Sequence, residues 1–176
     1  MRPENTEIEA KLKVDSFEPI VEMLAELDAE CVSTEQQKDS YFDDENNSLQ
    51  SADKGLRLRL TQSGCEEKIF LSYKGPRENA MFKRRTEIEF AVSDSQAALD
   101  FLTALGYKSS LTVEKKRQTW SFDDCLICLD EVKSLGSFVE IEGPDEEKIK
   151  SVQLMLKLGN LGHIHQSYAH LLKEKK

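Results

Sequence analysis

The sequence predicts an α+β domain in which antiparallel strands close into a barrel with a charged interior and helices packed outside. At residues 7–11 (Glu-Ile-Glu-Ala-Lys), charged and apolar side chains alternate with the period of two that a β-strand imposes. The acidic alternation returns at residues 87–89 and 140–142, and residues 57–59 and 115–117 supply basic counterparts. A solvated sheet face does not require charges on five separate strands, whereas a closed barrel with a polar lumen does.

The order of the predicted elements supports the same fold class. Two helices are interposed among the strands, and helical segments follow at the carboxyl end. This order lacks repeated βαβ units, so the sheet is predicted to be antiparallel, with helices covering its outer wall. Closure of an antiparallel sheet also removes exposed strand edges. We predict one domain that takes in residues 1–176.

The predicted strands are runs of alternating or β-branched residues between polar turn segments. They are residues 7–14, 37–43, 56–62, 68–74, 82–92, 111–122, 126–130 and 138–142. Cys31 and Val32 are also predicted to be extended. Ser63 and Gly64 are predicted to form the turn of a hairpin.

The predicted helices have apolar residues at spacings of three and four. They are residues 17 to about 29, about 95–105, about 145–158 and 167–175. Asp15 and Ser16 offer N-cap oxygens to the first helix, and Gly106 ends the second. Residues 44–54 are predicted to form a mobile loop, and residues 75–79 a second loop.

Composition excludes several classes of function. The net charge is −9 and the pI is about 5.0, which argues against general attraction to DNA, RNA or anionic membranes. The 24 basic residues still allow a local cationic site. No apolar run approaches the roughly 18 residues of a membrane span. Residues 1–4 show no apolar signal region, so a cytoplasmic location is expected.

The cysteines and histidines give no independent sign of a metal or redox centre. Cys125 and Cys128 have the spacing of a redox or zinc pair, but no second pair accompanies them, and residues three apart in a strand face opposite sides. All four cysteines are predicted to be reduced and mostly structural. His163 and His165 are too close in sequence to share a helical face, so the histidines are predicted to be surface residues.

Strand parity assigns two sets of charged side chains to the lumen of the barrel. The acidic set is Glu7, Glu9, Glu87, Glu89, Asp130, Glu140 and Glu142. The basic set is Lys11, Arg57, Arg59, Lys74, Arg85, Lys115 and Arg117.

A structural ion-pair network is one explanation for these sets, and a charged ligand is the other. Burying so many charges for stability alone is unfavourable, because desolvation commonly exceeds the Coulombic gain. Arginine and lysine suit a run of phosphates, and clustered carboxylates suit Mg²⁺ or Mn²⁺. The sequence has neither a P-loop nor a dinucleotide-binding fingerprint. It therefore predicts a site for a metal-bound polyphosphate or nucleoside triphosphate.

The ordered charge motifs resemble those of the CYTH superfamily, the triphosphate tunnel metalloenzymes, over nearly the whole chain. The motifs that carry this resemblance are Glu7-x-Glu9-x-Lys11, Arg57-x-Arg59, Lys74, Glu87-x-Glu89, Lys115-x-Arg117, Asp130 and Glu140-x-Glu142. Residues 37–43, 129–142 and 167–172 resemble the class IV adenylate cyclase branch of that family. The resemblance implies an eight-stranded antiparallel tunnel.

The resemblance also implies roles for these residues. The basic set would bind the triphosphate, with Lys11, Lys115 and Arg117 acting in catalysis, and the acidic set would hold Mg²⁺ or Mn²⁺. Within the acidic set, Glu9, Glu140 and Glu142 are the first candidates for metal ligands.

The resemblance leaves three functions open, since the family includes adenylate cyclases and several triphosphatases. The first expectation is conversion of ATP to cyclic AMP and pyrophosphate. The second is hydrolysis of inorganic triphosphate, thiamine triphosphate or a nucleoside triphosphate. The third is binding of a polyphosphate without turnover. The expected partner is a triphosphate-containing small molecule (ATP, tripolyphosphate or thiamine triphosphate) rather than DNA or a membrane, and a homodimer is compatible with the sequence.

Overall fold

The computed structural model describes residues 6–78 and 82–175. The strands are β1 Thr6–Lys13, β2 Glu30–Asp43, β3 Gly55–Ser63, β4 Glu66–Lys74, β5 Lys83–Val92, β6 Lys108–Phe122, β7 Cys125–Val132 and β8 Gly136–Glu142. The helices are α1 Glu18–Glu26, α2 Ser48–Ser51, α3 Ser95–Ala104, α4 Glu146–Met155 and α5 Tyr168–Glu174.

The strands form a closed antiparallel barrel in the order β1-β5-β4-β3-β2-β6-β7-β8. Closure occurs at β1, which pairs with β5 on one side and β8 on the other. The predicted fold class is confirmed. Because side chains alternate along each strand, closure directs one whole series of every strand into the lumen.

Two helices cover the outer wall on the side of β1, β7 and β8. Ala10 and Leu12 of β1, Ile127 of β7 and Ile141 of β8 are at most 1% exposed. Apolar residues of α1 and α4 complete this cluster. The apolar face of each helix therefore packs against the outward-facing apolar residues of the strands. Helix α3 covers β2, β3 and β4 in the same way, through Ala98 and Leu102.

Helix α5 occupies a different position, at one end of the barrel. Its Tyr168 packs with Val113, Val132 and Phe138, which belong to the inward-facing series of β6, β7 and β8. The carboxyl-terminal helix therefore contributes an aromatic side chain to the interior rather than to the outer layer.

Residues 44–54, for which a mobile loop is predicted, contain the short helix α2. The carboxylate of Asp43 accepts hydrogen bonds from the backbone N–H groups of Leu49 and Gln50 at 2.9 and 3.0 Å. Asp44 accepts from the backbone N–H of Asn46 and Ser48 at 3.0 and 2.9 Å. These bonds satisfy the free amides of a tight turn and give the segment a defined conformation.

Several predicted boundaries differ from the observed ones. Strand β2 has 14 residues and absorbs the segment at Cys31, because it pairs with β6 along its whole length. Helix α1 ends earlier than predicted, before Asp28, whose φ is 53°. The hairpin turn lies at residues 64–65, since Ser63 still pairs with Glu66. In the predicted loop at 75–79, residue 79 lies outside the described residues.

The two cysteines of β7 lie on opposite faces of the strand, as predicted, and are buried, whereas Cys31 and Cys65 are exposed. Cys125 packs in the outer apolar layer, whereas Cys128 faces the inside, as the alternation of strand faces requires. All four cysteines are free. Among the helices in residues 6–78 and 82–175, none is both long enough and apolar enough to span a membrane.

Candidate active site

The barrel encloses a cavity of about 750 Å³. Of the charged side chains that strand parity assigns to the lumen, all except Asp130 line it. Most are also strongly buried: Lys11, Arg57, Arg85 and Lys115 are between 3% and 7% exposed. The cavity is therefore lined by many charged groups that have largely left bulk water, and a buried charge is costly unless it is paired.

On the β2–β3 wall, Asp39 pairs with two arginines. Its carboxylate accepts hydrogen bonds from Nε and Nη2 of Arg59 at 2.6 and 2.7 Å, and Arg57 Nη1 lies 3.6 Å from it. Burial opposes the ionisation of Asp39, but the two guanidinium groups outweigh it and hold its pKa well below the usual range. The register places Asp39 directly opposite Arg59.

Across β1, β4 and β5, Lys74 is shared by two glutamates. Its Nζ donates to Glu7 at 2.9 Å and to Glu87 at 2.6 Å. Arg57 pairs with a further glutamate of β5, because its Nη2 lies 3.0 Å from the carboxylate of Glu89. These ion pairs hold the carboxylates of β5 among cations.

Asp130 lies behind the lumen surface and is fully buried. It accepts hydrogen bonds from Lys115 Nζ at 2.7 Å, from Arg117 Nε at 2.6 Å and from the Tyr168 hydroxyl at 2.9 Å. Burial opposes its ionisation, yet Arg117 and Lys115 lower its pKa. This carboxylate orients two cations and is itself surrounded by donors.

Glu140 connects a cation of β1 with a cation of β6. It forms an ion pair with Lys11 at 3.1 Å and a second one with Arg117. Burial again opposes ionisation, but these two cations lower the pKa of Glu140 well below its usual range. Lys11, Glu140 and Arg117 thus form a continuous chain of opposite charges from β1 to β6.

Arg85 differs from the other cations of the lumen. Its guanidinium lines the cavity and is 7% exposed, but Nε has no hydrogen-bond partner among the described residues. Within the same residues it forms no ion pair. A buried guanidinium with free donors is suited to bind an anion that enters the cavity.

Comparison with known proteins assigns the barrel to a family. The model of the CYTH domain matches residues 5–168. The chain belongs to the CYTH family. Members of this family are enzymes that act on triphosphates with divalent metal, as adenylate cyclases or triphosphatases.

Two relatives and one solved structure show the extent of the similarity. A Methanocaldococcus jannaschii protein, provisionally named as an adenylate cyclase, is 30% identical over 155 residues, 86% of each chain. Adenylate cyclase CyaB of Aeromonas hydrophila is 29% identical over 137 residues, 77% of this chain and 67% of that protein. A Pyrococcus horikoshii protein structure has a TM-score of 0.84 at 30% identity, covering 97% of this chain and 99% of that one.

A group of carboxylates in this CYTH barrel has the composition of a divalent-metal site. Carboxylate oxygens of Glu7, Glu9 and Glu142 lie within 4.8 Å of one another. Burial, with repulsion from Glu7, Glu9 and Glu140, raises the pKa of Glu142 to about 7 against the attraction of Arg117. Lys74 pairs with Glu7 and Lys83 with Glu9, yet burial and the three repelling carboxylates together still raise the pKa of Glu142. Three converging oxygen ligands of this kind fit a hard cation such as Mg²⁺ or Mn²⁺.

Residues that the sequence analysis did not select also line the cavity. Lys83 forms an ion pair with Glu9, and Asp39 pairs with the arginines of β3. Lys83 lies two residues before the assigned Arg85, so strand parity could have found it. No assigned residue lies on β2, so parity gave no reference position for Asp39. Tyr168 had no such signal, because it reaches the lumen from a helix.

The histidines take no part in the carboxylate group. His163 is partly buried, contacts the ring of Phe82 at 4.9 Å and lies 3.0 Å from Gln153 Oε1. The prediction of surface positions is therefore wrong for His163, which packs beside α4, whereas His165 and His170 are exposed.

Binding of Mn²⁺ should strengthen as the pH rises from 6 to 8. Glu142, with a pKa of about 7, is mostly protonated at pH 6 and mostly ionised at pH 8, and a metal needs the ionised form. We expect a gain in affinity of about 10-fold, measured by calorimetry at both pH values. Glu142→Gln should bind weakly at both.

The control is Glu131→Gln, which changes an exposed carboxylate on β7 and should keep the pH dependence of the unmodified protein. Equal Mn²⁺ affinity of the unmodified protein at pH 6 and pH 8 would contradict this account of Glu142.

Proposed function

We propose that this CYTH protein is a metal-dependent enzyme acting on a triphosphate, and that its reaction is the conversion of ATP to cyclic AMP and pyrophosphate. The observation that carries the proposal is the juxtaposition, in one cavity, of a buried basic set with the carboxylate group of Glu7, Glu9 and Glu142. Phosphate oxygens suit the first, and a divalent cation suits the second.

The ion pairs of the lumen support a binding role for the cations. Two or more carboxylates lie within ion-pair distance of each of Lys74, Arg57 and Lys11. A phosphate oxygen can therefore replace one partner of such a cation while another remains. Arg85 can accept an anion without losing a partner among the described residues. The cavity can therefore take up a polyanion without leaving these cations unpaired.

For the metal, we propose Glu7, Glu9 and Glu142 as the main ligands. Glu87, Glu89 and Glu140 pair with cations and do not belong to the converging group, and Asp130 is enclosed by donors, so these four are assigned to positioning instead. When bound, the metal would neutralise phosphate charge and polarise the phosphorus that is attacked.

The residues of this chain would supply orientation and charge stabilisation. Asp130 holds Lys115 and Arg117 together, and Glu140 holds Lys11. These three cations would hold the phosphates in line with the attacking oxygen. In a cyclase the ribose 3′-oxygen attacks the α-phosphorus and pyrophosphate leaves. The cations would stabilise the negative charge that develops on the phosphate oxygens.

The cyclase is placed first because similarity to CyaB of Aeromonas hydrophila extends over 77% of this chain. A triphosphatase is the second candidate, since the charged groups that line the cavity address phosphates and metal rather than a base. In that reaction water attacks the terminal phosphorus, with the same cations in the same roles. Binding without turnover is the third candidate, because a site can bind phosphates without aligning a nucleophile for attack.

The reaction is tested by separate incubations with ATP, tripolyphosphate and thiamine triphosphate, each with Mg²⁺ or Mn²⁺. We expect cyclic AMP and pyrophosphate in equal amounts from ATP. Orthophosphate without cyclic AMP would reject the cyclase in favour of a triphosphatase. Tight metal-dependent binding with no product after long incubation would favour the binding role.

Substitutions on β6 test whether its two buried cations bind the phosphates of the substrate. Lys115→Ala and Arg117→Ala should each reduce kcat/KM by about 10²- to 10³-fold, because each removes a buried cation from the site. Lys116→Ala is the matched control, since this lysine lies between them on the same strand, is exposed and should have little effect. Full activity of Lys115→Ala and Arg117→Ala would show that the chemistry occurs elsewhere.

A further inference from the structure

Tyr168 is the residue through which α5 reaches the interior of the barrel. It is 5% exposed, and its ring contacts Phe138 edge-on at 5.0 Å between centroids. Its hydroxyl donates to Asp130 at 2.9 Å. Burial, with repulsion from Glu140 and Asp130, raises the pKa of Tyr168 well above its usual value, so the hydroxyl keeps the proton that it donates.

The ring of Tyr168 lies against two cations from different parts of the sheet. Lys11 Nζ is 4.3 Å from the ring centroid, and Lys115 Nζ is 5.0 Å from it. Their strands, β1 and β6, are not neighbours, since β7 and β8 lie between them on the shorter path round the barrel. One aromatic ring therefore fixes where two distant strands present their ammonium groups.

The chain before α5 holds Lys11 from a second direction. Lys11 Nζ donates to the backbone carbonyl of Gln166 at 3.1 Å. Ile164 N–H donates to the backbone carbonyl of Lys11 at 2.8 Å, and His163 forms a bridge with Leu12. The segment before α5 is thus hydrogen-bonded to β1 beside Lys11, and this places Tyr168 relative to that lysine.

We propose that Tyr168 is a positioning residue, which sets the two ammonium groups of Lys11 and Lys115 at the separation that the phosphates of the substrate require. The inference rests on the proposed function for its ligand. Tyr168 acts by three contacts: the ring against each lysine, and the hydroxyl on the carboxylate that also holds Lys115. Lys11 already pairs with Glu140 and Lys115 with Asp130, so without the ring each lysine would lose one of the contacts that fix it and would be free to move about that carboxylate.

The ligand-free arm of the test is NMR of lysine side chains labelled with ¹⁵N and ¹³C, assigned with Lys11→Met and Lys115→Met. The ring should shift the side-chain resonances of both lysines upfield. Tyr168→Phe should retain these shifts, and Tyr168→Leu should lose them. Ordinary lysine shifts in the unmodified protein would overturn the proposal.

The binding arm is calorimetry with tripolyphosphate and Mg²⁺. Tyr168→Leu should bind about 10-fold more weakly, because two cation–π contacts are lost, and Tyr168→Phe less than about 3-fold. The control is Leu172→Ala, which loosens the packing of α5 without touching either lysine and should leave affinity unchanged.

A double variant separates positioning from a general effect on the fold. In a Lys11→Met background, the loss caused by Tyr168→Leu should fall to about 3-fold, since only the Lys115 contact remains. A loss that stays at 10-fold would overturn the proposal, as would equal binding by Tyr168→Leu and the unmodified protein. Failure of the unmodified protein to bind tripolyphosphate would instead contradict the proposed function.

Discussion

Closure of the barrel is the constraint on which the rest of this structure depends. Because side chains alternate along every strand, closing the sheet turns the charged side chains of its inner faces towards one another around a cavity of about 750 Å³. Charges that would be solvated on an open sheet must then find partners across the lumen. Register decides which partners meet, as where Asp39 faces Arg59 and Lys11 faces Glu140. The outer faces are left apolar and are covered by α1, α3 and α4.

The departures from complete pairing distinguish a ligand site from a structural network. Most lumen cations are satisfied by carboxylates, yet Arg85 keeps a free donor within the described residues. Glu7, Glu9 and Glu142 converge although they repel one another, and this repulsion contributes to the raised pKa of Glu142. A network selected only for stability would avoid both features, because each costs free energy. An anion at the first and a divalent cation at the second would relieve them together.

The sequence predicted the barrel and most of its lumen because parity along a strand is a local property. It could not separate Asp130 from the cavity-lining carboxylates, since its burial depends on how Lys115, Arg117 and Tyr168 enclose it. Residues 167–172 carry part of the family resemblance, but the position of Tyr168 in the lumen could not be predicted, because helical periodicity does not show that α5 packs at the end of the barrel. The order of α2 was missed for a similar reason: it depends on Asp43 bonding to amides six and seven residues further on.

The most direct measurement is anomalous diffraction from crystals grown with Mn²⁺ and tripolyphosphate. The account predicts a manganese peak bound by Glu7, Glu9 and Glu142, with phosphate density beside it that contacts Arg85 and the lysines of the lumen. A manganese peak elsewhere, or phosphate bound outside the barrel, would contradict the claim that the lumen charges are arranged for a metal-bound triphosphate.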